Sequence, residues 1–457
     1  FNGKRDGRTA RRKQAAESLL TEEGRIRMKS EFNYELKPGV KVRFIQNKQF
    51  KSVQMMVSFI HELKNERELA SRTLLAGILE SSSAAYPNQH AITLKLAELY
   101  GATFGANTEV EGNLSLLNFV YSFVAPEYLK AGQSLLDESV DFLNQIIFHP
   151  RMENGMFKPE VFERQRTNLK TYIQGIVDNK QSEALINVQR SYFDDPIQQN
   201  TPYGTENDYQ ELTNQDIVAA YDQMLRRDQV QITVMGDLVL DSLKRSLSKF
   251  EFRESVRETL HEICYSQAAK NQVEVQTKAE PVQQSKLDLI YHLPIDAHQD
   301  RMFYAAVVMN ALLGGSPQSL LFQNVREKAS MAYYAESSYS ALRSMVLIQT
   351  GIQATNHDSV LTLIKEQIAA LQQGDFSAEQ LAKIKIELIN ERQRMQDSPA
   401  SSLEQAVLSE LLVRPLDSET QQNGIQAVTK QDVVAAASQL KLQTEFFLKG
   451  EMDNGNH

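Results

Sequence analysis

The sequence has few of the residues on which several classes of protein depend. Cys264 is the single cysteine among 457 residues, so the chain can form no internal disulfide and no metal site built from several cysteines. Such sparing use of cysteine is typical of a reducing compartment, and we predict a cytoplasmic location. No apolar run reaches the length of about 18 residues that indicates a transmembrane helix, so we expect no membrane partner.

Basic residues are also fewer than acidic ones. Lys and Arg together number 49 against 58 Asp and Glu, which gives a net charge of −9. Because nucleic-acid-binding proteins usually present a basic face, we predict no nucleic-acid partner. The contents of hydrophobic residues, 42%, and of charged residues, 23%, are those of an ordinary globular protein. The length predicts about two to four domains.

The beginning of the chain lacks the apolar core of a signal peptide. Residues 1–30 are mostly basic and polar, and we predict that they form a disordered N-terminal extension. Met28 within this extension opens a stretch with the character of a natural start.

A repeated order of strands and helices begins at Val40. In the first half, the strand patterns VKVRFIQ and SVQMMVSFI precede a predicted helix over 67–81, and the half closes with TNQDIVAAYDQM and QVQITVMGD. In the second half, the strand pattern KLDLIYHLP precedes a predicted helix over 301–313, and the half closes with TKQDVVAAASQL and EFFLKGE. This recurrence after about half the chain predicts an internal duplication.

The predicted fold class is α+β, because neither half alternates strictly between strand and helix. We expect a first half over 31–249, a linker over 250–285 and a second half over 286–457. The linker is rich in Glu, Gln, Lys and Ser. Since few of its residues are candidates for burial, we expect a protease to cut there first and to release two separable halves.

Two stretches and the duplicated layout resemble the pitrilysin/insulinase peptidase family, in particular its processing-peptidase branch. Residues 202–224 read PYGTENDYQELTNQDIVAAYDQM and, with VMGD at 234–237, are similar to the end of a family half-domain. Residues 310–334 read NALLGGSPQSLLFQNVREKASMAYY and are similar to the family's Gly-Gly-Ser to Ala-Tyr segment. The resemblance implies two homologous half-domains, each a mostly antiparallel sheet flanked by helices, around a chamber for unfolded peptides.

Active members of that family bind zinc through His-x-x-Glu-His on one helix and a Glu on a later helix. This sequence contains neither His-x-x-Glu-His nor His-Glu-x-x-His. The resemblance places Thr73, Ala76 and Gly77 at the three motif positions. It places Tyr172 at the position of the later Glu. No residue in this degenerate set is a usual zinc ligand, so we expect no metal, no cofactor and no catalytic residue in this chain.

The remaining candidates for chemistry are isolated residues. His61 and His149 have no second histidine within reach on a helix, and we interpret both as surface or capping residues. Cys264 lies in the polar stretch HEICYSQAAK and is only a weak candidate nucleophile.

The resemblance also implies two retained residues that bind substrate. In active members an Arg and a Tyr, seven residues apart, lie across the chamber from the zinc, and they match Arg326 and Tyr333 here. An Arg has fixed donors for peptide carbonyl groups, and a Tyr hydroxyl can donate to an oxyanion. Two alternatives stay open: Arg326 could pair with a nearby Glu on a helix surface, and Tyr333 could belong to the core.

The leading hypothesis is that the chain is the non-metal subunit of a heterodimeric zinc peptidase and is inactive alone. A homologous partner with an intact motif would hold the zinc, and an unfolded peptide would be the substrate. The alternative is a catalytically inactive protein of the same fold that binds peptides or acts as a scaffold. An independent hydrolase with a relocated site is the least favoured hypothesis.

Overall fold

The computed structural model describes residues 30–130 and 132–451 of the chain. The N-terminal extension predicted over 1–30 therefore lies, except for its last residue, outside the described residues. No helix of the described part is both long and apolar enough to cross a membrane.

The first half contains eight of the described strands and nine α-helices. Its strands are β1 (Ser30–Lys37), β2 (Val40–Gln46), β3 (Ser52–Glu62), β4 (Thr103–Glu111), β5 (Leu114–Val124), β6 (Met152–Glu153), β7 (Met156–Phe157) and β8 (Gln229–Gly236). Its helices are α1 (Arg67–Ser81), α2 (Gln89–Glu98), α3 (Leu135–Phe148), α4 (Pro159–Asp178), α5 (Lys180–Tyr192), α6 (Pro196–Gln199), α7 (Glu206–Glu211), α8 (Asn214–Arg226) and α9 (Leu240–Leu247).

The second half contains five of the described strands and six α-helices. Its strands are β9 (Glu274–Glu280), β10 (Ser285–His292), β11 (Ala332–Ser340), β12 (Met345–Ile352) and β13 (Lys441–Gly450). Its helices are α10 (Asp300–Leu313), α11 (His357–Gln373), α12 (Ala378–Gln396), α13 (Pro399–Leu411), α14 (Ser418–Ala427) and α15 (Lys430–Ala437), and Phe322–Lys328 forms a short π-helix.

The two large sheets have the same topology. The first has the strand order β1-β2-β8-β3-β5-β4, and the second has the order β11-β12-β10-β13-β9. When the second sheet is read from β9 to β11, its strands correspond one by one to those from β2 to β4 in the first sheet. Each sheet has one parallel pair, β2 with β8 in the first and β9 with β13 in the second, and the two pairs occupy equivalent positions. The remaining neighbours in both sheets are antiparallel. The predicted α+β class and internal duplication are confirmed.

Equivalent polar contacts also recur in both halves. Thr213 and Thr429 cap α8 and α15, and each forms a capping box with the aspartate three residues later. That aspartate then pairs with an arginine at the start of the half's first long helix: Arg67 lies 3.2 Å from Asp216, and Arg301 lies 2.8 Å from the corresponding aspartate. The contact therefore joins α1 to α8 in the first half and α10 to α15 in the second half.

Each half also supplies one helix to the sheet of the other half. Helix α5 packs Ala184, Val188 and Tyr192 against β10, β12 and β13 of the second sheet. Helix α13 packs Leu403 and Val407 against β3 and β5 of the first sheet. The free energy of this burial is shared between the halves, so we do not expect them to fold separately.

The segment 250–285 is not the exposed linker expected from its composition. Phe250, Phe252 and Ile263 are buried, and β9 within it forms an edge of the second sheet. The backbone of the segment also bonds to both halves, because Asn113 N–H donates to Ile263 O and Tyr265 N–H donates to the Leu342 carbonyl. Few of its residues are buried, as expected, but those few anchor the segment between two packed surfaces, which composition does not reveal. The division at 250–285 stays a proposal.

Candidate functional site

Helix α1, which carries the three degenerate motif positions, is buried on most of its surface. Thr73 Oγ1 lies 2.7 Å from Thr108 Oγ1 on β4 and 3.4 Å from the Pro202 carbonyl oxygen, so its hydroxyl group already has partners. Ala76 is buried in the core of the first half. At these positions the helix therefore presents an apolar or already hydrogen-bonded surface.

The side-chain amide of Gln165, on helix α4, lies next to Gly77. A β-carbon added at Gly77 would lie 3.5 Å from Gln165 Oε1. Tyr172 lies about two turns further along α4, is 51% exposed and packs edge-on against Tyr203, with 5.4 Å between the ring centroids. Sequence reasoning missed Gln165, although its spacing of seven from Tyr172 places both residues on one helix face.

The degenerate set does not fit a zinc ion. Ala76 and Gly77 have no donor atom, and Thr73 is engaged with Thr108. Zinc in proteins is held by Cys, His and carboxylate ligands, at least three of them. Glu80, three residues after Gly77, is one carboxylate near this position; burial raises its pKa although it accepts a hydrogen bond from Ala106 N–H. One carboxylate cannot replace the ligand set.

A buried ion pair holds α1 against the sheet. Arg72, next to the first motif position, donates from Nη1 to Asp228 Oδ2 at 2.7 Å, from Nε to Ser115 Oγ at 2.9 Å and from Nη2 to the Phe59 carbonyl oxygen at 2.9 Å. Asp228 is 1% exposed and precedes β8. This pair could not be predicted from the sequence, because its members are 156 residues apart.

His61 belongs to the same buried group, so its interpretation as a surface or capping histidine is wrong. The residue is 1% exposed, and its Nε2 lies 3.2 Å from Glu68 Oε2. Burial alone would raise the pKa of Glu68, but hydrogen bonds from His61 and from Lys64 N–H hold that pKa below its usual value. His61 thus stabilises the start of α1 through its contact with Glu68.

Arg326 and Tyr333 lie at irregular points of the backbone. Arg326 is on the π-helix Phe322–Lys328, where its guanidinium lies over the Phe322 ring at 4.5 Å and 3.6 Å from Glu327 Oε1. Tyr333 is the extra residue of a β-bulge between Ala332 and Tyr334 in β11. Both π-helices and bulges are frequent at functional sites, because they redirect a side chain.

The structure bears differently on the two alternatives left open above: it excludes the one for Tyr333, whereas Arg326 does pair with a nearby Glu. Tyr333 is 57% exposed and is therefore no core residue. Arg326 has a carboxylate neighbour, Glu327, but the pair is exposed and such pairs contribute little stability. Neither residue is needed to hold the fold, so both are free to contact another molecule.

An open cleft of about 380 Å³ lies beside α4. It is formed by the ends of α4 and α5 and by the segment 200–206, and its lining includes Asn187, Arg190 and Lys278. The segment 200–206 also carries Tyr203, the neighbour of Tyr172. The lining of the cleft includes Ile173, the neighbour of Tyr172 in sequence, and Lys278 of β9, but none of the four degenerate positions.

The thiol of Cys264 is no nucleophile. Burial raises its pKa to about 11, although a hydrogen bond from Ala297 N–H opposes the rise. At neutral pH the group is protonated, and the thiolate is the reactive species.

Three glutamates meet where the edge strand β4 approaches α13. Burial, and then the neighbouring Glu109 and Glu404, raise the pKa of Glu111 to about 7. The pKa of Glu109 is raised as well, first by burial and then by Glu404. The negative charge at this contact between the halves therefore opposes folding at neutral and alkaline pH.

Replacement of Glu111 by glutamine is expected to stabilise the protein at pH 8 by roughly 1–2 kcal/mol and to have little effect at pH 4. When the pKa of a carboxyl group is raised in the folded state, its protonated form favours folding. The stability of the protein therefore falls as the pH rises from the ordinary pKa of a glutamate toward about 7, the pKa of Glu111. Thermal unfolding at both pH values measures the difference. The exposed Glu254 is the control, and equal gains from both substitutions would contradict the assignment.

Comparison with known proteins identifies the relatives of the chain. Residues 211–388 match the family model described as "Peptidase M16 inactive domain". The "Probable inactive metalloprotease YmfF" of Bacillus subtilis is 28% identical over 420 residues, which cover 90% of this chain and 96% of that protein. The "Uncharacterized zinc protease YmxG" of the same bacterium is 25% identical over 297 residues, which cover 62% of this chain and 67% of that protein.

A solved structure is also similar along almost the whole chain. The crystal structure of a conserved protein from Enterococcus faecalis V583 is 36% identical, covers 93% of this chain and 99% of its own, and has a TM-score of 0.87. Two mixed sheets flanked by helices are the fold of the M16 peptidases. The match to an inactive domain suggests that this chain holds no zinc at the family's position. The chain belongs to the M16 (pitrilysin) peptidase family, of its inactive-domain type.

Proposed function

We propose that the chain is the non-metal subunit of a heterodimeric M16 zinc peptidase. The observation that carries this proposal is the contrast between the two candidate sites. The motif positions on α1 are filled by buried or donor-free residues, whereas Arg326 and Tyr333 are exposed on irregular backbone. A chain that keeps the substrate-binding residues without the metal ligands suits a shared active site.

The relatives support a partner with its own zinc. Bacillus subtilis has both a relative named a probable inactive metalloprotease and a relative named a zinc protease. We infer that the present chain pairs with a homologous subunit that has an intact zinc motif. The substrate would be an unfolded peptide in the chamber between the subunits, and the cleft beside α4 is a candidate recess for it. The single cysteine supports the cytoplasm as the place of this activity.

Each residue would have a separate role in cleavage. When a metal-bound water attacks a peptide carbonyl, negative charge develops on the carbonyl oxygen, and a donor placed there stabilises the transition state. The Tyr333 hydroxyl is the proposed donor. Arg326 would donate hydrogen bonds to carbonyl groups of the bound peptide and so hold it in position.

Reconstitution with the partner tests this proposal. The Tyr333→Phe subunit is expected to slow peptide cleavage by roughly a hundredfold, about 3 kcal/mol, because it removes a donor that acts in the transition state. The Arg326→Ala subunit is expected chiefly to raise KM. Both variants should keep the wild-type melting temperature and affinity for the partner, since both side chains are exposed.

Tyr100→Phe is the matched control, because Tyr100 is 50% exposed and lies in the other half. The chain alone should cleave nothing in this assay. Wild-type turnover with both Tyr333→Phe and Arg326→Ala would refute the proposed roles. In that case the second candidate function, an inactive peptide-binding or scaffold protein, would be favoured by the filled motif positions and the cleft beside α4.

A further inference from the structure

A thiol, an imidazole and a carboxylate meet at a place far along the chain from the degenerate motif. Glu262, Cys264 and His298 each have a ligand atom within 4.8 Å of those of the other two, and no other such group of His, Cys, Asp and Glu occurs among the residues the structure describes. Glu262 and Cys264 lie in the segment 250–285, and His298 lies in the loop before α10. We propose that these three residues form a binding site for a divalent zinc ion.

The donor set is one that zinc prefers. Zinc is bound by Cys sulfur, His nitrogen and carboxylate oxygen, and three protein ligands leave a fourth position for water. Tetrahedral zinc with bonds of about 2.0–2.3 Å keeps its ligand atoms roughly 3.5 Å apart. His298 Nε2 already lies 3.1 Å from Glu262 Oε1. Small side-chain rotations would therefore complete the site, and the thiol would lose its proton on binding.

The backbone that carries the first two ligands is held on both sides. Asn113, from the turn between β4 and β5, donates from Nδ2 to the carbonyl oxygens of Glu262 and Cys264 at 3.1 and 3.2 Å. On the other side, Tyr265 N–H donates to the Leu342 carbonyl oxygen at 2.8 Å. The ligands thus need no ordering of the chain before they bind, which favours affinity.

The third ligand is held by its own loop. His298 N–H donates to Asp296 Oδ1 at 2.9 Å, and Ala297 next to it is buried in the same cluster as Cys264. His298 itself remains 44% exposed and Glu262 58% exposed, so an ion can enter from solvent. Bound zinc would join the segment between the halves to the second half.

This site is independent of the proposed peptidase function. It lies on neither α1 nor α4, so the expectation that no zinc is bound at the family's position is unaffected. The broader sequence-based expectation, that the chain holds no metal at all, is the one that the proposal revises.

Titration of the full-length chain with zinc and with cobalt, after removal of metals by a chelator, tests the site. We expect one ion per chain and, with cobalt, the near-ultraviolet charge-transfer absorption of a thiolate–metal bond. Cys264→Ser should abolish this absorption. His298→Ala should weaken zinc binding by more than roughly tenfold, because loss of even an outer-shell partner of a metal ligand costs about 10–100-fold.

His261→Ala is the matched control, because His261 lies near the site in sequence but pairs with Glu62 outside it. This variant should bind zinc as the wild type does. Zinc should also raise the melting temperature of the wild type and of His261→Ala, since it binds only the folded chain. Absence of charge-transfer absorption in the wild type, or equal zinc affinity in His298→Ala and the wild type, would overturn the proposal. Because His298 is exposed, this second variant keeps the test decisive if Cys264→Ser fails to fold.

Discussion

Replacement of Asp228 by alanine is expected to lower the free energy of unfolding by about 3–5 kcal/mol. The substitution leaves the guanidinium of Arg72, which is 3% exposed, buried without its counter-charge. Arg72 would keep its hydrogen bonds to Ser115 and to the Phe59 carbonyl, but neutral acceptors do not compensate a buried charge. Denaturant unfolding of the purified chain measures the loss.

Two comparisons separate this effect from a general sensitivity of α1. Arg67, which is also on α1, pairs with Asp216 of α8, but the two side chains are 46% and 42% exposed. Arg67→Ala should therefore lower the free energy of unfolding by no more than about 1 kcal/mol. The double substitution of Arg72 by Met and Asp228 by Leu should be less harmful than Asp228→Ala, because it removes both charges. If Asp228→Ala and Arg67→Ala cost the same, the buried pair does not stabilise α1 as described.

The Leu403→Ala variant is expected to lose about 2–5 kcal/mol and still to unfold in one transition. Leu403 is fully buried on α13, which belongs to the second half in sequence, yet its neighbours include Met56 and Ile60 of β3. The cavity therefore opens against the first sheet and destabilises both halves. Calorimetry of the thermal unfolding tests for a single transition, and a spectroscopic probe in each half tests whether the two halves unfold together.

Ile386→Ala on α12 is the control for this substitution. Ile386 is 59% exposed, so its truncation should change stability by no more than about 0.5 kcal/mol. Two separate transitions in the Leu403→Ala protein, with the first half unaffected, would show that the halves fold independently.

Much of the fold could be predicted from local patterns. The strand pattern VKVRFIQ corresponds to β2 at both ends, and the helix predicted over 67–81 corresponds to α1. Helix α3 begins at Leu135, after two short 3-10 turns that the strand and helix patterns do not predict. Residues Phe322–Lys328 form a π-helix, which side-chain periodicity does not distinguish from an α-helix.

The elements that join the two halves could not be predicted in this way. Helices α5 and α13 were not recognised, and nothing in their sequences says which sheet they cover. Strand β9 lies within the predicted linker because its side chains are mostly exposed and polar, as they are on an edge strand. Local sequence reports which side chains avoid water, but not which distant surface they contact.

In the candidate site, too, local features could be predicted and features that depend on distant contacts could not. The absence of the zinc motif is evident from the sequence, and the family resemblance predicts Thr73, Ala76 and Gly77 at its positions. The exposure of Tyr333 and its place in a bulge required the three-dimensional pairing of β11 with β12. The group of Glu262, Cys264 and His298 could not be predicted, because its members come from two loops and share no spacing along one helix.

The exchange of α5 and α13 gives the chain the topology of a domain-swapped dimer whose two protomers are joined end to end. In such a dimer each protomer contributes an identical element to its partner, and one substitution appears twice. Joining the protomers in a single chain removes that constraint, because the two copies of an element can then differ. Strand β11, which carries the bulge at Tyr333, corresponds to β4 in the first sheet, and the π-helix with Arg326 corresponds to α2, which precedes β4. The two copies have therefore already diverged where the candidate site lies.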